Sequence, residues 1–124
     1  MNMTESIQDA RVGDVQRTGD GVAALEFRFA ATQSVFSGHF PGHPILPGIF
    51  QLEMARAAAE TVAGSTLIVR EIVKAEFRRP IRPEETIRVD VKLVEQPDSL
   101  QARATLSVDG QPAGEATMQL ARRV

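Results

Sequence analysis

An almost wholly apolar, alanine-rich segment between Pro47 and Gly64 constrains the fold more than any other part of this chain. A proline precedes residues 48–63 and a glycine follows them, the arrangement in which helices commonly begin and end. Because apolar side chains occur on nearly every face, this helix is predicted to be buried and not laid on a surface. Other elements of the chain must therefore cover it on most sides.

Strand-like alternation of apolar and polar residues occurs on both sides of the helix. Two runs precede it, at residues 10–17 and 22–29, and Asp20-Gly21 between them predicts a hairpin. Four runs follow, at residues 66–78, 86–95, 100–108 and 113–120. The expected fold class is α+β, an antiparallel sheet wrapped around one long central helix. A chain of 124 residues suits one domain over 1–124, in which residues 1–9 are expected to be a loose polar end.

The composition removes several kinds of chemistry. The chain contains no Cys, Trp or Tyr, so it has no thiol nucleophile, no cysteine-bound metal and no phenol acid. Its net charge of −2 argues against nucleic-acid binding, and no apolar run is long enough for a membrane span. With no signal-like segment visible, a cytoplasmic location is expected. His39, His43 and the carboxylates remain for chemistry near neutral pH.

The loop that leads into the helix holds the candidate base, His39. Pro41, Pro44 and Pro47 predict an extended, stiff backbone in this loop. The same prolines exclude the helical i, i+4 geometry through which His39 and His43 could share a metal ion, and no third ligand lies nearby. No metal site is therefore expected. A purely structural histidine is the alternative reading of His39.

Two further candidate groups lie in the first turns of the helix. The backbone N–H of Gly48 has no intrahelical acceptor and carries the positive end of the helix dipole, which suits a carbonyl oxygen that gains negative charge. Glu53 lies among apolar neighbours, where an uncompensated carboxyl is costly. A base, an oxyanion donor and an acid are the parts needed to eliminate water β to a thioester. An ordinary ion pair with Arg56 is the alternative for Glu53.

The segment that carries these residues resembles the active-site signature of bacterial 3-hydroxyacyl-[acyl-carrier-protein] dehydratases of fatty-acid synthesis. The matching run is His39-Phe40-Pro41-Gly42-x-Pro44-x-x-Pro47-Gly48-Ile49-x-x-x-Glu53. Residues 74–83, 107–110 and 114–116 resemble later blocks of the same family, so the resemblance covers roughly residues 22–120.

This resemblance implies the hot-dog fold and a homodimer, with further assembly into a trimer of dimers left open. It implies that His39 is the base, that Gly48 supplies the backbone donor, and that Glu53 is the acid contributed by the other subunit. A glutamate at position 53, instead of an aspartate, resembles the branch of the family that only dehydrates and not the branch that also isomerises the double bond. No metal or organic cofactor is implied, and the acyl chain arrives on the phosphopantetheine arm of acyl carrier protein.

Two surfaces are expected to contact the substrate and its carrier. The substrate-binding side chains are expected to be Phe36, Phe40, Pro41, Phe50 and Leu52. Because acyl carrier proteins are acidic, three basic residues are candidates for docking the carrier, namely Arg78, Arg79 and Arg82. The alternative for these arginines is an ordinary solvated strand face.

Three departures from the family pattern indicate a divergent branch, such as one that serves polyene or polyketide synthesis. Arg56 stands where the family commonly has glutamine, and an arginine beside Glu53 could weaken it as an acid. Pro83-Glu84-Glu85 replaces the usual Pro-Gly-Asp, so that turn must be built without glycine. The opening helix of the family is expected to be missing.

Two other functions stay open. A hot-dog thioesterase would use a carboxylate and an activated water and would need no histidine before the helix, so His39 favours dehydration. A non-catalytic protein that binds an acyl chain or its carrier is the second alternative, which Arg56 and the expected absence of the opening helix keep open.

Overall fold

The structure, a computed structural model, describes residues 2–36, 42 and 44–123. Within these residues the elements are α1 (Met3–Ala10), β1 (Arg11–Gly19), β2 (Val22–Arg28), a 3-10 turn (Ser34–Phe36), α2 (Gly48–Ala63), β3 (Leu67–Phe77), β4 (Thr86–Glu95), β5 (Leu100–Val108) and β6 (Gln111–Arg122). The central helix has its predicted bounds, and the strands differ from the predicted runs only at their ends.

The six strands form one antiparallel sheet in the order β1-β2-β4-β5-β6-β3. The hairpin predicted at the start of the sheet is present, and Gly21 in its turn has a φ of 69°. A side chain at Gly21 would also collide with the carbonyl of Leu93, so only glycine fits there. The inner face of the sheet packs on α2. This arrangement is the hot-dog fold, and the predicted α+β class is confirmed.

Small side chains on α2 bring the helix close to the sheet. Ala55, Ala58 and Ala59 are fully buried, together with Met54. The larger core side chains come mainly from the strands, and they include Leu25, Phe27, Ile87, Val89, Leu106, Met118 and Leu120. Gly64 ends the helix in the left-handed conformation, with φ 69°, as the glycine after an apolar helical run predicts. The predicted burial of α2 is therefore present on its sheet-facing side.

The start of the chain corrects one expectation, because residues 3–10 form the helix α1 where a loose polar end was predicted. The Asn2 side chain accepts a hydrogen bond from the backbone N–H of Glu5 at 2.8 Å and so caps the first turn. Ile7 and Ala10, on one face of the helix, are buried in the core. Their i, i+3 spacing was visible in the sequence, but one short amphipathic turn among polar residues gives a weak signal.

The turn between β3 and β4 is built without glycine, as predicted. Glu84 takes the left-handed conformation instead, with φ 69°. Its carboxylate accepts hydrogen bonds from the backbone N–H of Ala31 at 3.0 Å and from Arg28 at 2.7 Å. These bonds hold the strained residue in place and attach the turn to the segment after β2. They also lower the pKa of Glu84, the bond from Ala31 contributing most.

The two edges of the sheet differ in what they expose. In the described chain β1 forms one edge and β3 the other. Along β3, Ile72, Val73 and Phe77 are 47%, 51% and 51% exposed, and Ile49 at the nearby start of α2 is 54% exposed. A long edge strand with exposed apolar side chains is the kind that pairs with another strand.

No helix among the described residues is long and apolar enough to cross a membrane.

Candidate active site

Four residues of the predicted signature lie outside the described residues. They are the candidate base His39, the substrate-binding candidates Phe40 and Pro41, and His43. Their roles therefore stay predictions. The structure describes the chain on both sides of them, from the 3-10 turn that ends at Phe36 to the start of α2.

Gly48 lies at the first position of α2, directly after Pro47. Among the described residues no side chain caps this helix end, so its first N–H groups are left to other acceptors. The ring of Phe77 covers the Cα of Gly48, and a methyl group placed there would lie 2.7 Å from Cε2 of the ring. The absence of a side chain at Gly48 therefore lets the Phe77 ring lie directly against the helix N-terminus.

A cleft of 310 Å³ opens beside this glycine. It lies between the first turn of α2 and the segment that follows β3, and its lining residues are Ile45, Leu46, Gly48, Gln51, Phe77, Arg78, Arg79 and Pro80. A cavity of similar size, 330 Å³, lies between α1 and the last turns of α2. Only the first of the two contains the candidate donor Gly48. The cleft beside Gly48 is therefore the candidate substrate site.

Glu53 is held in an ion-paired network with Arg56 and Glu60 on the same helix. Arg56 Nε donates to both carboxylate oxygens of Glu53, at 2.9 and 3.0 Å, and Nη2 contacts Oε1 as well. Arg56 Nη1 lies 2.7 Å from Glu60 Oε2 and donates to the carbonyl of Leu67 at 3.3 Å. The hydrogen bond to Glu53 raises the pKa of Arg56, and partial burial opposes the rise. The ion pair that was the alternative for Glu53 is thus present in the described subunit.

The three described substrate-binding candidates, Phe36, Phe50 and Leu52, do not line the cleft beside Gly48. Phe36 is buried in the core, and Phe50 packs edge-on against Phe29 with ring centroids 6.0 Å apart. Leu52 is half-buried and lies beside the fully buried stripe of the helix. Phe36 and Phe50 therefore act first as core side chains, whereas Leu52 has a free face.

The three docking candidates are not equally available to a carrier. Arg78 pairs with Glu76 at 2.9 Å and lies 3.4 Å from Glu115. Arg79 pairs with Glu85 at 2.7 Å and is mostly covered. Arg82 is exposed and makes no ion pair with any described residue.

Comparison with known proteins identifies the family to which the chain belongs. A sequence model of the ApeI-like family, described as ApeI dehydratase, matches residues 15–114. The chain belongs to the ApeI-like dehydratase family. The match spans most of the chain, including the loop with His39, the helix N-terminus and Glu53.

Individual relatives agree with this family. Two curated proteins named 3-hydroxyacyl-[acyl-carrier-protein] dehydratase FabZ are similar to the chain. The one from Granulibacter bethesdensis is 33% identical over 86% of this chain and 68% of its own length. The one from Haemophilus influenzae is 30% identical over 86% of this chain and 78% of its own length. The resemblance found in the sequence is confirmed.

Solved structures show the same fold. A dehydratase heterocomplex, ApeI:P from Xenorhabdus doucetiae, is 24% identical with a TM-score of 0.76, covering 90% of this chain and 96% of that chain. The PaaI protein of Escherichia coli is 13% identical with a TM-score of 0.70, covering 90% of this chain and 79% of that chain.

The sequence interpretation of this ApeI-like dehydratase missed one polar residue in the cleft, Gln51. It belongs to the buried stripe of α2 together with Met54, Ala55 and Ala58, and it is only 3% exposed. Glu53, singled out as the buried polar group, lies off that stripe. The helical spacing of Gln51 from Met54 and Ala58 could have identified it as the polar side chain that faces the sheet.

Among the described residues no group of three His, Cys, Asp or Glu side chains could hold a metal ion.

Proposed function

We propose that this protein removes water from 3-hydroxyacyl thioesters carried on acyl carrier protein and yields trans-2-enoyl thioesters, in fatty-acid or related polyene or polyketide synthesis. The observation that carries the proposal is the dehydratase family match over residues 15–114. This range includes His39, Gly48 and Glu53, the three groups that such an elimination requires.

Each group receives one role in the proposed reaction. The His39 imidazole takes the proton from the carbon next to the thioester carbonyl, and the C–H electron pair becomes the new carbon–carbon double bond. The N–H of Gly48 stabilises the negative charge that develops on the carbonyl oxygen. Glu53 gives a proton to the 3-hydroxyl, which leaves as water with the electrons of its carbon–oxygen bond. No external oxidant or reductant is needed.

A homodimer is part of the proposal, because the exposed apolar side chains of β3 suit pairing with the same strand of a second copy. Burying Ile72, Val73 and Phe77 in such a pair would remove half-exposed apolar surface from water. The position of Glu53 favours the same edge, since its partner Arg56 donates to the carbonyl of Leu67, the first residue of β3. Glu53 thus lies beside the edge at which a second copy would bring its own site.

For the carrier protein we propose docking at the mouth of the cleft through Arg82, with Arg78 and Arg79 beside it. Arg78 and Arg79 line the cleft, and Arg82 follows shortly after in the chain. A carrier whose arm enters beside these residues would place an acidic surface on them. The paired carboxylates of Arg78 and Arg79 would have to exchange for those of the carrier, so Arg82 is expected to contribute most.

The proposed activity is tested by following the conjugated enoyl absorbance as the protein hydrates a crotonyl thioester of N-acetylcysteamine or of acyl carrier protein. We expect turnover by the wild type and at least a hundredfold loss in His39→Ala, a typical effect of removing a general base. Release of free thiol, measured in the same sample, reports thioesterase activity. Thiol release without hydration would replace the proposed function with hydrolysis, and equal turnover by His39→Ala would remove His39 from the site.

The proposed interface is tested by sedimentation of two matched variants. Ile72→Asp places a charge on the exposed apolar edge of β3, whereas Val12→Asp places one on β1, where Val12 is 42% exposed at the opposite edge. We expect Ile72→Asp to be monomeric at micromolar concentration and Val12→Asp to remain dimeric. A wild type that is monomeric at this concentration, or a dimer disrupted only by Val12→Asp, would contradict the β3 interface.

A further inference from the structure

Gln51 is a buried polar side chain with an unused acceptor. It is 3% exposed, and its side-chain oxygen Oε1 has no hydrogen-bond partner among the described residues. Leaving a buried carbonyl-type oxygen without a donor is costly, so most such groups are paired. Leucine or methionine at this position would fill the space without that cost. The amide at position 51 therefore suggests a donor other than the described residues, such as a bound molecule.

The neighbouring strand leaves room for this amide. Gly114 of β6 lies opposite it, and a methyl group on Gly114 would overlap Gln51 Oε1 and lie 3.0 Å from the carbonyl of Glu76. Gly114 does not have a positive φ, so its backbone conformation would also accept other residues. The absence of a side chain at Gly114 thus serves the close approach of the Gln51 amide and the strand backbone.

The amide also lies in the candidate substrate cleft. Gln51 follows Gly48 by three residues, so the two occupy neighbouring positions on one side of the first helical turn, and both line the cleft. Exposure increases along this cleft, from 3% for Gln51 to 50% for the side chain of Arg78. Gln51 and Gly48 therefore form its inner end and the arginines its outer end.

We propose that Gln51 is a substrate-binding residue: rotation of its amide about the Cγ–Cδ bond turns Oε1 from Gly114 toward the cleft, where it accepts a hydrogen bond from the 3-hydroxyl of the acyl thioester. The assignment rests on the proposed function, which places the thioester carbonyl at the N–H of Gly48. The 3-hydroxyl is two carbons from that carbonyl and carries the O–H donor of the reacting part of the substrate. Donating this hydrogen to Gln51 leaves the oxygen lone pairs free to receive the proton that expels water. The enoyl product has no such donor.

The consequence is selectivity for the hydroxylated form of the substrate. Gln51 stabilises the 3-hydroxyacyl thioester and the transition state, which both contain the oxygen, but not the enoyl thioester. In the dehydration direction, loss of Gln51 should therefore raise KM and leave kcat nearly unchanged. In the hydration direction it should lower kcat and leave KM nearly unchanged. The equilibrium constant of the reaction requires kcat/KM to fall by the same factor in both directions.

The test uses Gln51→Met, which keeps the length of the side chain and removes both polar atoms, with Gln119→Met on β6 as the matched control. Gln119 lies outside the cleft, where its side-chain oxygen lies 3.3 Å from the Ser99 hydroxyl. With 3-hydroxybutyryl and crotonyl thioesters of N-acetylcysteamine, we expect kcat/KM of Gln51→Met to fall about five- to tenfold, the worth of one neutral hydrogen bond. The fall should divide between KM and kcat as described above, and Gln119→Met should match the wild type.

Other outcomes refute the assignment. If KM rises equally for both thioesters, Gln51 binds a group that substrate and product share, such as the amide of the pantetheine arm, and the 3-hydroxyl assignment is wrong. An unchanged kcat/KM removes Gln51 from the site altogether. The melting temperature gives an independent readout: since the variant replaces an unpartnered buried acceptor by an apolar group, it should stay equal or rise. A lower melting temperature would mean that the amide supports the fold instead.

Failure of the proposed function can be told apart from failure of this inference. Wild-type protein without turnover counts against the proposed function alone. In that event, binding of the 3-hydroxybutyryl and butyryl thioesters of N-acetylcysteamine is compared by calorimetry. We expect the wild type to prefer the hydroxylated ligand about fivefold and Gln51→Met to bind the two equally. Equal binding of both ligands by the wild type would refute the role of Gln51.

Discussion

Replacing Arg56 by methionine removes the centre of the ion-paired network on α2 and keeps a side chain of similar length. The change deletes the two bonds to Glu53, at 2.9 and 3.0 Å, the pair with Glu60 at 2.7 Å and the bond to the Leu67 carbonyl at 3.3 Å. The side chains of the three charged residues are only 16% to 25% exposed, so water replaces these partners poorly. Net contributions of about 1.5–3 kcal/mol are typical of hydrogen bonds to charged groups.

The lost bonds are partly offset by the side-chain entropy that arginine regains when it is free. We therefore expect Arg56→Met to lower the free energy of unfolding by about 2–3 kcal/mol. For a chain of this length that is a drop of roughly 8–12 °C in melting temperature. Thermal unfolding followed by circular dichroism measures it, at one fixed protein concentration because association raises apparent stability.

A double-mutant cycle assigns the effect to a specific pair. Glu53→Gln keeps the shape of Glu53 and removes its charge, and the cycle with Arg56→Met isolates the coupling between the two side chains. We expect about 1–2 kcal/mol of coupling, more than the value below 1 kcal/mol that is usual for exposed pairs. A stability loss under 0.5 kcal/mol for Arg56→Met would refute the reasoning, because the network would then behave like an ordinary surface ion pair.

Three further predictions concern the cleft, the turn after β3 and the N-terminal helix. Gly48→Ala should lower kcat by about ten- to a hundredfold in the hydration assay, since the methyl group intrudes beside the backbone donor. The melting temperature of this variant should change little, because the half-exposed ring of Phe77 can turn away. A kcat equal to that of the wild type would contradict the role of Gly48. Glu84→Gly should be more stable than Glu84→Ala in denaturant titrations, because alanine loses the side-chain bonds and keeps the left-handed strain whereas glycine relieves that strain. Since the folded-state pKa of Glu84 is lowered from 4.5, its charged form contributes stability at neutral pH, and this contribution disappears as the pH falls through the lowered value. The difference in free energy of unfolding between wild type and Glu84→Gln should therefore shrink in acid. A difference that grows in acid would contradict the assigned pKa direction. Asn2→Ala should cost about 1 kcal/mol through loss of the α1 cap, measured by amide exchange in that helix, and an unchanged exchange rate would show that the cap is not needed.

The elements at the centre of this fold could be predicted from sequence because several signals agree there. A buried helix between a proline and a glycine, and strands separated by Gly, Pro and Asp turns, satisfy propensity, periodicity and burial together. α2 accordingly begins at Gly48 and ends at Ala63 as expected. The fold family was expected from the resemblance of residues 39–53 to a known active-site signature.

The parts that could not be predicted depend on tertiary neighbours. α1 is stabilised by packing Ile7 and Ala10 on a core made elsewhere in the chain, which a short polar segment does not reveal. Whether Arg56 faces Glu53 or solvent was open in the sequence, because both outcomes fit the same i, i+3 spacing. The Leu67 carbonyl, which comes from another element, is part of what holds the guanidinium beside Glu53. For Gln51, helical spacing indicates the buried face, but the close approach of Gly114 is visible only in the structure.

Arg56 links the proposed acid to the proposed dimer edge, and this link limits how the reaction can run. To give its proton to the leaving hydroxyl, Glu53 must be free of the ion pair that Arg56 forms with it. The coupling measured by the double-mutant cycle is therefore added to the barrier of the elimination, and each 1.4 kcal/mol of it slows the reaction about tenfold. Glutamine at this position would bring no charge to the pair. The same guanidinium holds α2 to the start of β3, so this chain gains a stabilised edge strand at the expense of a more tightly held carboxylate.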